Sequence, residues 1–453
     1  MTDKILTASA EASAIKKVTI YSNLGGEKSV EITSGITLLM YFESILQDTI
    51  RATIRFVDSG DSAKSGDGDG NKTVREGLPL VGQERVRLEF EDNNEVGIGG
   101  GPELILYVNK ITPVQSDTNA ELIQLELVSK EFILNEKVRI NTRFDGKISD
   151  HIENILTDEN YLETEKELDI EMTENTFNFN GSNKKPFYML NALSKKSVPE
   201  GKLKEAAGYF FYETSNGYHF KSLDTLLDPS KNPQKKSVIY NETPESRGFN
   251  LPEGYDIKAL EYELDNRVDV QEKLRLGAYT NKMILFDPFN CFYQVVTDTS
   301  PEKETEQSAG KGMPTLNPEF DRVNKGQDKE FTRTTYFLVD HGSLPSGDTS
   351  QQIDDCQKEN FEYLNIANQS IRRYNQFYAS KVTITLPGDF SIHVGDAIFV
   401  DAPGLTSKKD GENDQQAGGI YIISDLCHYM TPKNSYTKVN LVRDSFGRKG
   451  TAS

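Results

Sequence analysis

The sequence predicts a mainly β protein of the α+β class, with two related small β-barrels joined by a helix-and-hairpin region. Three observations carry this reading. Strand-like alternation of apolar and polar residues dominates the 453-residue chain, helical periodicity is confined to a few segments, and the two ends of the chain echo each other.

In chain order, Ala52–Val57, Arg85–Phe90 and Leu122–Val128 alternate as half-buried strands do. Between the first two, residues 59–77 are mostly Ser, Gly, Asp and Lys and read as a mobile loop. Ile148, Ile152, Ile155 and Leu156 mark a short helix, and Pro186 opens another whose Phe187, Leu190 and Leu193 face inward. Residues 208–223 read as a hairpin, two aromatic-rich strands flanking Asn216-Gly217, a pair that tolerates the positive φ of a tight turn. Residues 257–276 fit helix and strand equally. Residues 298–330 hold three prolines and thirteen charged side chains with little to bury, and read as a second mobile segment. Phe361, Leu364, Ala367, Ile371, Tyr374 and Tyr378 recur at helical steps and place a helix over 355–379, expected to pack on its own barrel. Lys381–Leu386 is again a strand.

The echo aligns Val81-Gly82-Gln83, before the strand at 85, with Val394-Gly395-Asp396, before Ala397–Val400, at an offset of 313. Leu125–Val128 aligns with Val439–Val442 at 314, and Leu104–Val108 lies near Ile420–Ile423 at about the same offset. Ala52–Phe56 aligns with Val382–Leu386 at 330, the excess of the first copy falling in the loop 59–77. Duplication and chance alignment of two β-rich segments both stand at this level. Under duplication, residues 1–145 form a first barrel and 146–250 a connecting α+β region. A second barrel takes 251–297 and 335–453, with 298–334 a flexible insertion.

The formal charge is −19, split as −7 over residues 1–150 and −12 over the remainder. Spread acidity of this kind repels polyanions at long range, which disfavours phosphate-gripping nucleic-acid binding and adhesion to an anionic membrane. The expectation is a soluble protein made without Sec export, with no leader and no membrane span. Cys291, Cys356 and Cys427 are odd in number and widely spaced, which fits thiols in a reducing compartment.

Chemistry-bearing motifs are weak. Asp67, Asp69 and Asn71 begin like a calcium loop, but Lys72 stands where the sharp turn needs Gly and Leu78 where a bidentate Glu is needed, so a solvated loop is expected. Gly97–Pro102 lacks the strand-loop-helix context and the Lys of a phosphate loop. His151, His219, His341, His393 and His428 form no metal motif, and His151 and His393 read as ordinary structural histidines, the latter in a strand. No nucleophile elbow appears, so no catalytic residue, metal or cofactor is expected. Tyr209, Phe210, Phe211, Tyr212, Tyr218 and Phe220 admit two readings: a sugar-stacking face of a carbohydrate-active protein, or core.

Several segments together resemble one family. They are Gly208–Asp224, Leu276–Tyr279 with Phe286-Asp287-Pro288, Arg372-Arg373-Tyr374, Thr385–Gly388, Ile392–Asp396, Gly419–Ile423 and Leu441–Ser445. In order and spacing they are similar to the baseplate hub proteins of contractile bacteriophage tails, which share their fold with the base of the type VI secretion spike. The resemblance spans most of residues 1–446. It implies a homotrimer with two tube-type barrels per subunit, a pseudo-sixfold ring that adapts a sixfold tail tube to a threefold spike. The implied partners are a spike protein, tube or tube-initiator proteins, baseplate wedge proteins and a tape measure, with DNA only in transit and no membrane integration. The implied location is the virion tail, assembled in the bacterial cytoplasm. A spike-base role in a type VI or phage-derived injection particle is the variant within that class. The sequence ends at Ser453 without a β-helical needle, so under this resemblance the spike tip is expected on a separate chain. A conduit for DNA is expected to have an acidic or neutral lumen. The residues expected to matter structurally are Gly82, Gly395, Asn216 and Gly217.

Overall fold

The computed structural model describes residues 14–23, 28–60, 63–64, 71–78, 80–92, 94–98, 103–117, 119–201, 207–240, 251–265, 269–279, 281–287, 292–298, 317, 319–320, 333–338, 363–403 and 417–445. The first part of the chain builds β1 (Ala14–Tyr21), β2 (Ser29–Glu31), β3 (Ile36–Ser44) and β4 (Arg51–Asp58). After the short pair β5 (Ala63–Lys64) and β6 (Asn71–Lys72) come β7 (Arg85–Glu91), β8 (Leu104–Ser116) and β9 (Glu121–Val128). The alternation in the sequence is realised as alternating burial, with Ala52, Ile54 and Phe56 inward on β4 and Val86, Leu88 and Phe90 inward on β7.

The middle of the chain holds β10 (Arg143–Phe144), β11 (Leu168–Ile170), β12 (Phe179–Asn180), and the hairpin β13 (Tyr209–Thr214) and β14 (Gly217–Ser222). Around them sit the helices Lys130–Lys137, Ile148–Thr157, Pro186–Ser194 and Leu223–Leu227. This region has its own core, in which Ile152, Ile155, Leu190, Phe211, Tyr218 and Phe220 are buried. The hairpin loop falls one residue before Asn216-Gly217: Thr214 pairs with Gly217, so Ser215-Asn216 make the turn and Gly217 opens β14. The glycine is set there because the backbone of Glu167 crosses it, and a Cβ at 217 would lie 2.2 Å from Glu167 O.

The remainder contributes β15 (Lys236–Ile239), β16 (Ile257–Lys258), β17 (Glu261–Asp265), β18 (Asn281–Asp287), β19 (Phe292–Asp298), β20 (Arg333–Leu338), β21 (Ser380–Pro387), β22 (Ala397–Asp401), β23 (Gly419–Met430) and β24 (Ser435–Arg443). The segment that the sequence left open is therefore strand to Asp265 and helix from Val270 to Leu276. β18, β19 and β20 form a separate three-stranded sheet. The long helix runs Tyr363–Phe377 among the described residues; Phe361 lies outside them. It packs on this small sheet and reaches the hairpin, where Tyr374 and Phe377 meet the Phe210 ring at 5.1 and 5.3 Å. Its partners are thus intramolecular, as an apolar stripe suggests, but they extend beyond the second β unit.

Fourteen strands share one hydrogen-bonded sheet made of two units with the same plan. The first runs β3-β4-β9-β8-β7 and the second β17-β21-β24-β23-β22. Ala52 pairs with Leu127 and Ile54 with Leu125, just as Val382 pairs with Leu441 and Ile384 with Val439. The offsets of 330 and 314 seen in the sequence are therefore offsets of equivalent ladder positions. The fourth strands even share a register shift, between Val108 and Lys110 in β8 and between Ile423 and Asp425 in β23. Each circuit also turns a corner through one bent segment. Residues 29–44 pair first with β1 and then with β4, and residues 257–265 first with β15 and then with β21. β1 runs antiparallel to β7, whereas β15 runs parallel to β22, so the two units differ in their last strand.

At the start of β7 and β22 the equivalence is shifted by one from the sequence alignment. Gln83 N donates to Val108 O and Gly395 N to Ile423 O; Val81 N donates to the Glu84 carboxylate and His393 N to that of Asp396. The true offset is 312, which matches Gln83 (φ +69°) with Gly395 (φ +87°) and leaves Gly82 (φ +100°) as the residue before. A Cβ at Gly82 would meet nothing within 4 Å, whereas one at Gly395 would lie 2.3 Å from the buried Tyr212 hydroxyl. Gly82→Ala is expected to cost about 1 kcal/mol, the left-handed backbone penalty alone. Gly395→Ala should cost about 3 kcal/mol, because it also overpacks the hairpin contact. Urea unfolding of the two variants measures the difference.

Candidate functional site

The two units meet where β3 of the first pairs antiparallel with β23 of the second, from Ser44 opposite Asp425 to Leu39 opposite Met430. The inward positions of β3 are Leu39, Tyr41 and Glu43, so an apolar alternation ends in a carboxylate pointed at the core. Burial of an ion is tolerated only when its lone pairs are taken up, and those of Glu43 are taken up from three directions. Oε1 accepts from the Tyr41 hydroxyl at 2.7 Å, the Ser215 N–H of the hairpin at 3.0 Å and His393 Nδ1 at 3.2 Å. Oε2 accepts from the Val394 N–H at 3.1 Å. One carboxylate thus ties the first unit, the hairpin turn and the second unit together.

Burial by itself would raise the Glu43 carboxyl, but the His393 charge and the hydrogen bonds from His393, Ser215 and Tyr41 outweigh it and hold the group at about 2. His393 responds in the opposite sense: burial would lower it, and the Glu43 charge more than compensates, leaving it raised. His428, on β23, is completely buried, stacked on Tyr41 at 5.8 Å and edge-on to Phe390 at 4.6 Å. Burial pushes it down to about 3, so it is neutral. Its Nδ1 lies 2.9 Å from Thr437 Oγ1, which also lies 3.3 Å from Asp389 O.

A second buried ionic group fastens the hairpin to the first unit. Lys166 Nζ lies 2.6 Å from Glu213 and 2.7 Å from Glu131. Glu213 also accepts from Ser129 Oγ at 2.7 Å and from the Ile50 N–H at 3.0 Å. Burial raises Glu213, while Glu131 stays lowered because the Lys166 charge and hydrogen bond overcome its burial. On the opposite side, Arg373 of the long helix grips Asp224 with two hydrogen bonds, at 2.7 and 3.1 Å, and Asn232 Nδ2 donates to Gly395 O at 2.8 Å. These ties fix the relative placement of three regions. Among the described residues no group of three or more His, Cys, Asp or Glu side chains could hold a metal ion. A recess of about 380 Å³ opens on the outer side of the seam, lined in part by Gln47, Arg51, Asp425 and Lys438, with charges of both signs.

The residues singled out from sequence fall as follows. Asp67 and Asp69 lie outside the described residues, and Asn71 belongs to β6. Asn216 and Gly217 sit at the hairpin end, beside Ser215, whose N–H reaches Glu43. Gly395 packs against Tyr212, and the Gly82 N–H donates to the Glu84 carboxylate. His393 lies in the turn before β22 rather than in a strand, and it carries an ion pair that its reading as an ordinary histidine missed. His151 is a satisfied core histidine, with Nε2 2.9 Å from Phe177 O. The aromatics Tyr209, Phe210, Phe211, Tyr212, Tyr218 and Phe220 are all buried, at 5% exposure or less, so the sugar-stacking face does not exist. Cys427 is half-buried with its thiol pushed up to about 11 by burial; Cys291, Cys356 and His341 lie outside the described residues. Glu43, Glu213 and Lys166 escaped sequence reading. The break in the inward series Leu39, Tyr41, Glu43 is the signal that could have found the first.

The sequence matches no protein-family model, and no curated protein matches it significantly. Its structural neighbours are phage tail and baseplate proteins and proteins of the type VI secretion spike. A tail protein from Neisseria meningitidis superposes with a TM-score of 0.50 at 8% identity, covering 94% of this chain and 96% of that one. The 43 kDa tail protein of prophage MuSo2 from Shewanella oneidensis gives 0.48 at 10% identity, covering 95% and 98%. An Escherichia coli component of the type VI secretion system gives 0.40 at 9% identity, covering 96% and 80%. The first of these likenesses shows that the chain has the fold of that tail protein along nearly its whole length.

The seam predicts a defined pH response. The Glu43 contribution is present above the ordinary carboxylate value of 4.5 and is lost as pH falls toward 2. The His393 contribution is complete below 6.5 and disappears as pH rises past its raised value. Glu43→Gln is therefore expected to destabilise the protein by about 3 kcal/mol near pH 5 to 6. The gap in melting temperature between native protein and variant should narrow on both the acid and the alkaline side, and calorimetry across pH 3 to 9 reads it.

Proposed function

We propose that this protein is a non-enzymatic structural hub of a contractile phage-tail baseplate. Three copies form a ring of six similar tube-type β-barrels between a sixfold tail tube and a threefold spike. The observation that carries this reading is the repeated strand order in one chain, with the first strand of one unit hydrogen-bonded to the fourth strand of the other. A two-unit arc of this kind is a third of a six-unit ring, and head-to-tail contacts close into rings when the rotation per step allows. The buried ionic ties at the seam support the reading, because an adaptor that transmits load needs its two units held at one angle.

Under this reading the polar face of the run β17-β21-β24-β23-β3-β4-β9-β8 lines the channel. That face mixes signs rather than forming a basic band: Lys381 stands opposite Asp265 on the neighbouring strand, and Lys110 Nζ lies 3.3 Å from Glu126. A lumen of mixed or negative charge lets DNA pass without counterion-releasing phosphate contacts. Spike, tube or tube-initiator, wedge and tape-measure proteins are the partners of the remaining faces, in a virion tail assembled in the bacterial cytoplasm.

Light scattering on the purified full chain tests the reading. The expected mass is about 153 kDa, three times the 50.9 kDa chain, alone or with a co-expressed spike protein. Peptidoglycan and polysaccharide should remain intact in its presence. Turnover that a single Asp or Glu substitution abolishes would sink the hub reading.

A further inference from the structure

A lysine held between two buried carboxylates is a reactive set as well as an ion pair. Lys166 places Nζ 2.6 Å from Glu213 Oε1, on β13, and 2.7 Å from Glu131 Oε2, on the helix Lys130–Lys137. The Glu213 and Glu131 side chains are 0% and 2% exposed. One ammonium cannot neutralise both, and an uncompensated ion is costly in the interior, so one carboxylate is driven to hold a proton. Burial raises Glu213, whereas at Glu131 burial is outweighed by the Lys166 charge and the group stays lowered. The proton therefore falls to Glu213, and Glu131 remains the partner of the ammonium.

The oxygens of these carboxyls are held in a way that suits attack by the amine. Glu213 Oε1 faces Lys166, whereas Oε2 accepts from the Ile50 N–H at 3.0 Å. Ser129 Oγ lies 2.7 Å from Oε2 and 2.9 Å from Oε1. Donors at Oε2 draw electrons from Cδ and stabilise the negative oxygen that an attacking amine would create there. Glu131 Oε1 accepts from Thr164 Oγ1 at 2.7 Å, which leaves Oε2 to the Lys166 nitrogen. The buried Tyr218 ring walls the site, its centroid 5.4 Å from Nζ. Fixed neighbours in a largely dry site replace the chance encounter that makes amide formation slow in water.

We propose that Lys166 Nζ and Glu213 Cδ join in an intramolecular isopeptide bond, with Glu131 as the proton acceptor. Glu131 takes one proton from the ammonium and becomes a neutral acid. The freed nitrogen lone pair attacks Cδ, and the Cδ–Oε1 bond breaks. A second nitrogen proton leaves with that hydroxyl as water, and the third stays on the amide. Nothing is oxidised or reduced, and the site is without net charge at the start and at the end. The Lys166 side chain is 28% exposed, which gives the released water a way out. The bond closes a loop whose ends are 47 residues apart and makes permanent the tie between the hairpin and the segment before β11. It does not depend on the ring reading above.

Mass spectrometry of the denatured full chain tests the proposal. The native protein is expected to be lighter than its sequence by one water, and Lys166→Arg protein to have its full sequence mass. Trypsin cleaves at Lys195 and Lys196, between the two partners, so the linked chain should yield one branched peptide joining residues 166 and 213. Glu131→Gln keeps the shape but accepts no proton, and should slow appearance of the branched peptide in newly made protein about a hundredfold. Full sequence mass and two linear peptides from both fresh and aged native protein overturn the bond, whatever the variants do. A branched peptide that forms as fast in Glu131→Gln as in native protein overturns the part given to Glu131.

Discussion

The architecture depends on one buried charge. Glu43 sits where the first unit, the hairpin turn and the second unit meet, and it is stable there only because each neighbour contributes a donor. An ion without those donors would cost several kcal/mol in the interior, so the seam can close only in the arrangement that brings all of them to the carboxylate. A purely apolar seam would bury as much surface but would penalise less a slip of two residues, which keeps the same face inward. The carboxylate and its four donors permit one register, which is the role for which buried polar groups are best attested.

The middle region then acts as a clamp between the units. Its hairpin reaches the first unit through Glu213, which receives the Ile50 N–H and the Lys166 charge, and through Ser215. It reaches the other side through the Arg373–Asp224 pair of the long helix and through Tyr212, which fills the space that glycine leaves at 395. These ties are short, buried and distributed over elements far apart in sequence, so none of them forms unless the whole arrangement does.

The two units share their central ladder and differ at its end. The ladder positions shared by β4 and β21, and by β9 and β24, carry the core, and there the units keep the same register and the same inward positions. Their last strands differ, antiparallel in one unit and parallel in the other.

Much of the fold was legible in the residues alone. The alternation at 52–57, 85–90, 122–128 and 381–386, the helical stripes of 148–156 and 186–193, and the echo at offsets 330 and 314 all depend on a period-two or period-3.6 pattern, which is local. What only the tertiary structure decided has one common cause. The hairpin turn moved to Ser215-Asn216 because the Glu167 backbone occupies the space beside residue 217. The offset at Gly395 became 312 because matching depends on which carbonyl its N–H meets. His393 became half of an ion pair because Glu43, 350 residues away, points at it. Each outcome is set by a partner distant in sequence that satisfies a backbone group, a buried charge or a filled volume, and no pattern of neighbouring residues encodes that partner.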